Sequence, residues 1–202
     1  MDARIYLASQ SPRRRELLDQ IGVRFDPLLF RAPPRHDPEV DETRQGDESP
    51  ETYVVRVACA KAQFAAQLIA RRRLAPRPIL AADTTLDIDG EVVGKPSNPL
   101  DATRILGRLS ARRHRVLTAI AVAHETRLEH RLSISEVDFR LLDNDEIRRY
   151  VQSGEPMDKA GAYGIQGRAA AFIEKVHGSY SGIMGLPLCE TALLLRRFGY
   201  SL

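Results

Sequence analysis

The sequence predicts a mixed α/β fold with a central sheet that is at least partly antiparallel, and three observations carry this. Short apolar runs alternate along the chain with segments of helical periodicity, Asp89-Gly90 sits between two such runs as in a two-residue hairpin, and Leu132 to Leu141 shows the rough alternation of a strand. No internal repeat, heptad pattern or low-complexity tract interrupts the interleaving. At 202 residues the chain is long enough to bury a core without disulfides, as one domain over residues 1–202 or as two small lobes around a cleft.

In chain order, Ile5 to Ala8 read as a short buried strand. Ser11 is placed as an N-cap, Pro12 fits the first helical position, and Leu17, Leu18 and Ile21 give the following helix an apolar stripe. The Pro-rich polar stretch 31–50 reads as a loop. A helix over 51–70 follows, with Val54, Val55, Val57, Ala58, Ala62, Ala65 and Leu68 on its apolar face. A strand from Pro78 is expected to stop at Asp83, and Leu86 to Val93 to form the hairpin. Helices are expected at 101–109, 144–152 and 187–197, and strands at 116–123, 132–141 and 171–176.

Composition narrows the function classes. Cys59 and Cys189 lack metal-ligand spacing, which points to a reducing, cytoplasmic setting, with Cys59 read as a small core residue. No stretch reaches the roughly 18 apolar residues of a membrane span, so the chain is expected to be soluble and free of the membrane. The net charge of +3 balances 30 Lys plus Arg against 27 Asp plus Glu. Arg71-Arg72-Arg73 and Arg112-Arg113-His114-Arg115 read as solvated loops or helix ends, and no nucleic-acid partner is expected. A few cations gathered around a small anionic ligand suit this balance better.

The segment Leu7-Ala-Ser-Gln-Ser-Pro-Arg-Arg-Arg-Glu-Leu-Leu18 has the chemistry for such a ligand. Where a strand hands over to a helix, unpaired amides and the macrodipole favour phosphate, and Arg adds a fork for two phosphate oxygens. An ordinary capped helix with solvated arginines explains the same residues. Other segments supply oxygen ligands and cations: the acidic loop from Asp37 to Glu42, Lys61 towards the end of the long helix, Ala82-Asp83-Thr84, and Gly94-Lys95-Pro96. Mg²⁺ binds through one or two carboxylates plus substrate phosphates, so this composition suits a divalent cation. Asp158-Lys-Ala-Gly-Ala-Tyr-Gly-Ile-Gln-Gly167 combines glycines with Gln166, which carries both a donor and an acceptor for the edge of a base. A compact turn around a packed Tyr163 is the alternative. The glycine spacing is wrong for a dinucleotide fingerprint, and Walker A, HExxH, Cys/His zinc and Gly-x-Ser-x-Gly patterns are absent.

In this order, these segments together with Val40-Asp-Glu42, Tyr53-Val-Val-Arg-Val-Ala58, Lys61-Ala62 and Gly185-Leu-Pro187 resemble the Maf family of nucleoside triphosphate pyrophosphatases across essentially the whole chain. Asp158 to Gly167 is similar to the branch that hydrolyses dTTP and UTP rather than 7-methyl-GTP. The resemblance implies an elongated, twisted mixed sheet with a central cleft, a Mg²⁺ or Mn²⁺ cofactor, and a homodimer. It implies Asp83 as proton acceptor and, with Glu42, metal-side carboxylate. It also implies Ser9, Arg13, Arg14, Lys61 and Lys95 around the triphosphate, and Arg13, Thr84 and Gln166 at the base-specificity positions. Arg168-Ala169-Ala170 follows the glycine-rich run where relatives often carry small residues or glycines, which leaves the finer base preference open. A nucleotide-binding regulator of cell division, with incidental hydrolysis, is the other class this resemblance admits.

Overall fold

The computed structural model describes residues 4–30 and 40–200, so Asp37 and Glu39 of the acidic loop lie outside the described residues. Its centre is a seven-stranded sheet. Strands β1 (Ile5–Ala8), β2 (Phe25–Pro27), β3 (Ile79–Ile88), β5 (Arg113–His124), β6 (Arg127–Phe139) and β7 (Ile173–His177) lie in the order β2-β1-β3-β5-β6-β7, and β4 (Glu91–Val93) pairs with β3. β1 runs parallel to both β2 and β3, and every other pairing is antiparallel. The mixed α/β class is therefore as expected. Among the described residues no helix is long and apolar enough to cross a membrane.

Helices cover both faces of the sheet. α2 (Pro50–Arg71) starts at the Ser49 cap with Pro50 in its first turn and buries Val54, Val57, Ala58, Ala62, Ala65 and Ile69. Its alanines allow close approach to Tyr6, Ala81, Leu117, Ala119 and Ala121. Ile69 takes the fully buried place expected of Leu68, which is half-buried. On the opposite face α1 (Pro12–Gln20) and α6 (Leu188–Arg197), which follows the one-turn α5 (Tyr180–Ile183), bring Leu17, Leu18, Leu194 and Leu195 against Ile5, Leu7, Leu80 and Ile120. A third cluster lies further along the sheet, where α3 (Pro99–Leu109) and α4 (Asn144–Gln152) pack with Leu86, Ile88, Val116, Phe139 and Tyr163.

β3 connects these cores and corrects one expectation. It does not stop at Asp83 but continues to Ile88, because β5 pairs with it from Ile79↔Ala123 to Asp87↔Arg115. Its first half belongs to the α1 and α2 cores and its last residues to the α3 core, which leaves Asp83, Thr84 and Thr85 as a polar interval between them. The hairpin is in register at Leu86↔Val93 and turns at Asp89 and Gly90, with φ of 56° and 83°. Asp87 also accepts the Gly90 N–H at 2.7 Å, which is an Asx-type closure of the turn.

Other boundaries move for similar reasons. Arg113, His114 and Arg115 are not a solvated loop but the start of β5: His114 turns inward to Tyr163, while Arg113 pairs with Asp138 and Arg115 with Glu51 and Asp87. Arg71, Arg72 and Arg73 do form a helix end. Arg168–Phe172 is a 3₁₀ turn, so β7 starts at Ile173 rather than 171. β6 starts at Arg127 and ends at Phe139 instead of spanning 132–141. Cys59 is half-buried against the α2 core, and burial raises its thiol pKa.

Candidate active site

A cleft of about 750 Å³ crosses the sheet at the polar interval of β3. Ser9, Arg13, Arg14, Glu42, Lys61, Asp83, Thr84, Lys95 and Gln166 all line it. Residues scattered from one end of the sequence to the other are thus brought to one surface.

At the start of α1, Ser11 occupies the cap position but its side chain makes no cap bond. Ser9 Oγ instead accepts the Ser11 N–H at 3.2 Å and a bond from Arg14 Nη1 at 3.2 Å. The Arg14 guanidinium also donates to the Gly185 carbonyl at 2.8 Å and to Thr84 Oγ1 at 3.3 Å. Thr84 in turn meets Thr118 Oγ1 at 3.0 Å, and Thr118 donates to the Gly182 carbonyl at 2.7 Å. Arg14 therefore ties the β1–α1 turn, β3 and the segment before α6 into one wall. Burial draws its pKa down, Asp83 opposes that, and as an arginine it stays charged. Gly185 has φ of +112°, a conformation that favours glycine and presents its carbonyl to Arg14.

Opposite this wall, Lys61 projects from the middle of α2 rather than from near its end. Its ammonium bonds Asp83 Oδ1 at 2.8 Å and Glu42 Oε1 at 2.9 Å. Asp83 is only 8% exposed, with the Lys61 ammonium in direct contact and the Arg14 guanidinium acting on it from the other wall. Two carboxylates converging on one cation is also the donor set that a hard divalent ion completes with water and phosphate oxygens. The residues therefore fit such an ion with Glu42 and Asp83 as holders; among the described residues no third His, Cys, Asp or Glu joins them in a cluster.

The far side of the cleft is the glycine-rich segment. Gly161, at φ +69°, donates its N–H to the Gly94 carbonyl at 2.9 Å, which docks this segment on the turn carrying Lys95. A β-carbon at Gly161 would collide with Leu86, so both backbone angle and space demand glycine. Tyr163 is buried, as the compact-turn reading expected, whereas Gln166 is exposed on the cleft rim. Asp158 reaches across to Arg13 at 3.3 Å and also holds Lys159. Burial works against the Asp158 carboxylate, but Lys159 and Arg13 keep its pKa below the usual range.

Two residues were not singled out by chemistry read from the sequence. Tyr53 lines the cleft and donates to the Glu42 carbonyl at 3.0 Å; burial, with Asp83 and Glu42 nearby, pushes its phenol up to about 12. Arg56 bonds the Asp41 and Thr43 carbonyls at 2.9 and 2.8 Å and both oxygens of Glu48 at 3.0 and 2.7 Å. Their i, i+3 spacing on α2 was the available signal, since it places both on one helix face.

Residues 4–198 match the family model described as Maf-like protein. The chain belongs to the Maf family. Among its relatives, proteins called dTTP/UTP pyrophosphatase from Aromatoleum aromaticum and Dechloromonas aromatica are 59% and 56% identical, over 100% and 98% of this chain and 98% of each of theirs. A third of that name from Cupriavidus pinatubonensis is 55% identical over 96% of both chains. The Maf fold seen here is also similar to the solved Ham1 protein of Staphylococcus aureus, with a TM-score of 0.51 over 96% of this chain and 97% of that one. At 16% identity the likeness is one of fold alone.

Proposed function

We propose that this Maf-family chain hydrolyses dTTP and UTP to the nucleoside monophosphate and pyrophosphate. The observation that carries the reading is Lys61 held between Glu42 and Asp83 in an arginine-bearing cleft whose rim presents Gln166. The names of relatives at 55–59% identity over nearly whole chains support the same substrate class.

Arg13, Arg14 and Lys95, with the Ser9 hydroxyl, hold the triphosphate and offset its charge. Asp83 accepts a proton from water as the water oxygen bonds to the α-phosphorus. The bond from that phosphorus to the bridging oxygen breaks, and pyrophosphate leaves with its charge neutralised by the surrounding cations. Lys61 keeps the Asp83 carboxylate aimed into the cleft. A divalent cation held by Glu42 and Asp83 supplies Lewis-acid stabilisation of the phosphate oxygens when bound. Gln166, with Arg13 and Thr84 in the same lining, selects the pyrimidine by pairing with its polar edge, since a base lacking that pattern leaves the polar groups it covers unpaired. In this reading the protein is a cytoplasmic homodimer that removes unwanted pyrimidine nucleotides before polymerases use them.

The test is pyrophosphate release from a panel of nucleoside triphosphates and 7-methyl-GTP, with Mg²⁺, Mn²⁺ or chelator. Metal-dependent release from dTTP and UTP is expected, and Asp83→Asn should lose it by about 10²-fold or more while still binding nucleotide. Release confined to 7-methyl-GTP would refute the pyrimidine assignment, and unchanged kcat in Asp83→Asn would remove Asp83 from the chemistry.

A further inference from the structure

Gln166 sits on an exposed rim, where a side chain reads a base only if its backbone is held still. The backbone on either side of it is tied to one pair of residues outside the cleft lining. Before it, the Gly164 N–H donates to the Tyr150 hydroxyl at 3.3 Å. After it, the Arg168 N–H donates to Glu155 Oε2 at 3.1 Å. The two anchors are joined, because the Tyr150 hydroxyl donates to Glu155 Oε1 at 3.0 Å.

The fit around them is close. A β-carbon at Gly164 would lie 2.8 Å from Lys159 Cε, and one at Gly167 would overlap the Glu155 carboxylate. Lys159 is itself fixed by donating to the Glu155 carbonyl at 2.6 Å. The segment 164–168 is thus wrapped around Glu155 and Lys159, with the Gly167 N–H to Gly164 carbonyl bond of 3.0 Å closing it under Gln166. Tyr150 is buried against Phe172, and burial together with Glu155 raises its phenol pKa, so it holds its proton and remains a donor.

We propose that Tyr150 and Glu155 are positioning residues that set the preference for pyrimidine over purine by fixing the backbone that carries Gln166. The inference rests on the reading of Gln166 as the base-facing group. Glu155→Gln replaces one acceptor oxygen by a donor, so the pair can no longer accept from Arg168 and receive the Tyr150 hydroxyl together. Tyr150→Phe removes only the hydroxyl and keeps the ring that packs on Phe172, which guards against a variant that merely unfolds.

Three quantities are measured for both variants: kcat and KM for UTP and GTP, binding of non-hydrolysable UTP and GTP analogues, and amide hydrogen exchange. Exchange at residues 164–168 should quicken about tenfold while amides of β3 and β5 stay protected. KM for UTP should rise with kcat little changed, and the UTP-to-GTP ratio of kcat/KM and of analogue affinity should fall about tenfold. Unchanged ratios in both variants would overturn the proposal, whether or not exchange quickens. A wild type that prefers the UTP analogue but releases no pyrophosphate would sink the hydrolytic reading alone, and one that binds neither analogue would overturn both.

Discussion

His114 enters the core at the point where its neighbours leave it, since alternate residues of β5 face opposite sides and Arg113 and Arg115 take the solvent side. Its Nε2 lies 2.8 Å from the Tyr163 hydroxyl, its ring packs edge-on to Phe139 and Tyr163, and its Nδ1 has no hydrogen-bond partner among the described residues. Burial outweighs the opposing pull of Asp138 and brings its pKa down from 6.5 to about 4. The sign follows from proton uptake: between these values the unfolded chain binds a proton that the folded chain refuses. Stability from His114 is therefore complete above pH 6.5 and is lost progressively as pH falls towards 4. At about 1.4 kcal/mol per pH unit, the loss between pH 7.5 and 5 is about 2 kcal/mol. Urea unfolding at the two pH values should show this drop in the wild type and a flatter profile in His114→Gln. Equal slopes in the two proteins would show that His114 does not carry it. The identity of this histidine was plain in the sequence, but its burial was not, because an Arg-Arg-His-Arg run reads as solvated until the strand that splits it between two faces is known.

The helix α2 and the loop before it carry the acidic half of the cleft, and Arg56 joins them. One guanidinium binds two loop carbonyls and a carboxylate, which fixes the turn 41–48 and with it the backbone of Glu42, where Tyr53 adds a further bond. Arg56→Met should keep the helix, whose buried face lies elsewhere, yet release the turn. Loss of such supporting partners typically weakens metal affinity or activity by about 10- to 100-fold. Titration of pyrophosphate release with Mg²⁺ should show a higher requirement, accompanied by faster proteolysis within 41–48; an unchanged metal requirement would detach Arg56 from the site. The helix was legible because its small apolar residues recur at helical spacing. The length of β3 was not: the polar Asp83-Thr84-Thr85 resembles a strand end, and only pairing with β5 explains why the strand runs on. β2 escaped for the opposite reason, being three residues long with no buried face.

Across the whole molecule, the candidate residues could be read from their chemistry, but their grouping could not, because it depends on long-range contacts. β3 passes through two packed regions and places its polar interval between them, so the cleft is a gap between cores rather than a feature of any one segment. Its walls already touch through Arg13 and Asp158, and its cations are partly satisfied by the chain's own carboxylates. A bound triphosphate should compete with Asp158 for Arg13, and one that spans from the α1 arginines to Gln166, as proposed, would tie both walls to the same ligand. Binding to the folded state alone stabilises it by RT ln(1 + [L]/Kd), about 2.7 kcal/mol at a hundredfold excess over Kd. For a chain of this size that corresponds to a rise in Tm of about 5–10 °C. A non-hydrolysable UTP analogue should produce it, and a GTP analogue at the same concentration should produce little. Shortening the ligand to the monophosphate analogue should abolish most of the rise, because the proposed partners of the arginines and Lys95 are then missing. A Tm that responds equally to UTP and GTP analogues would mean that the phosphates alone are gripped and that the rim bearing Gln166 takes no part in recognition.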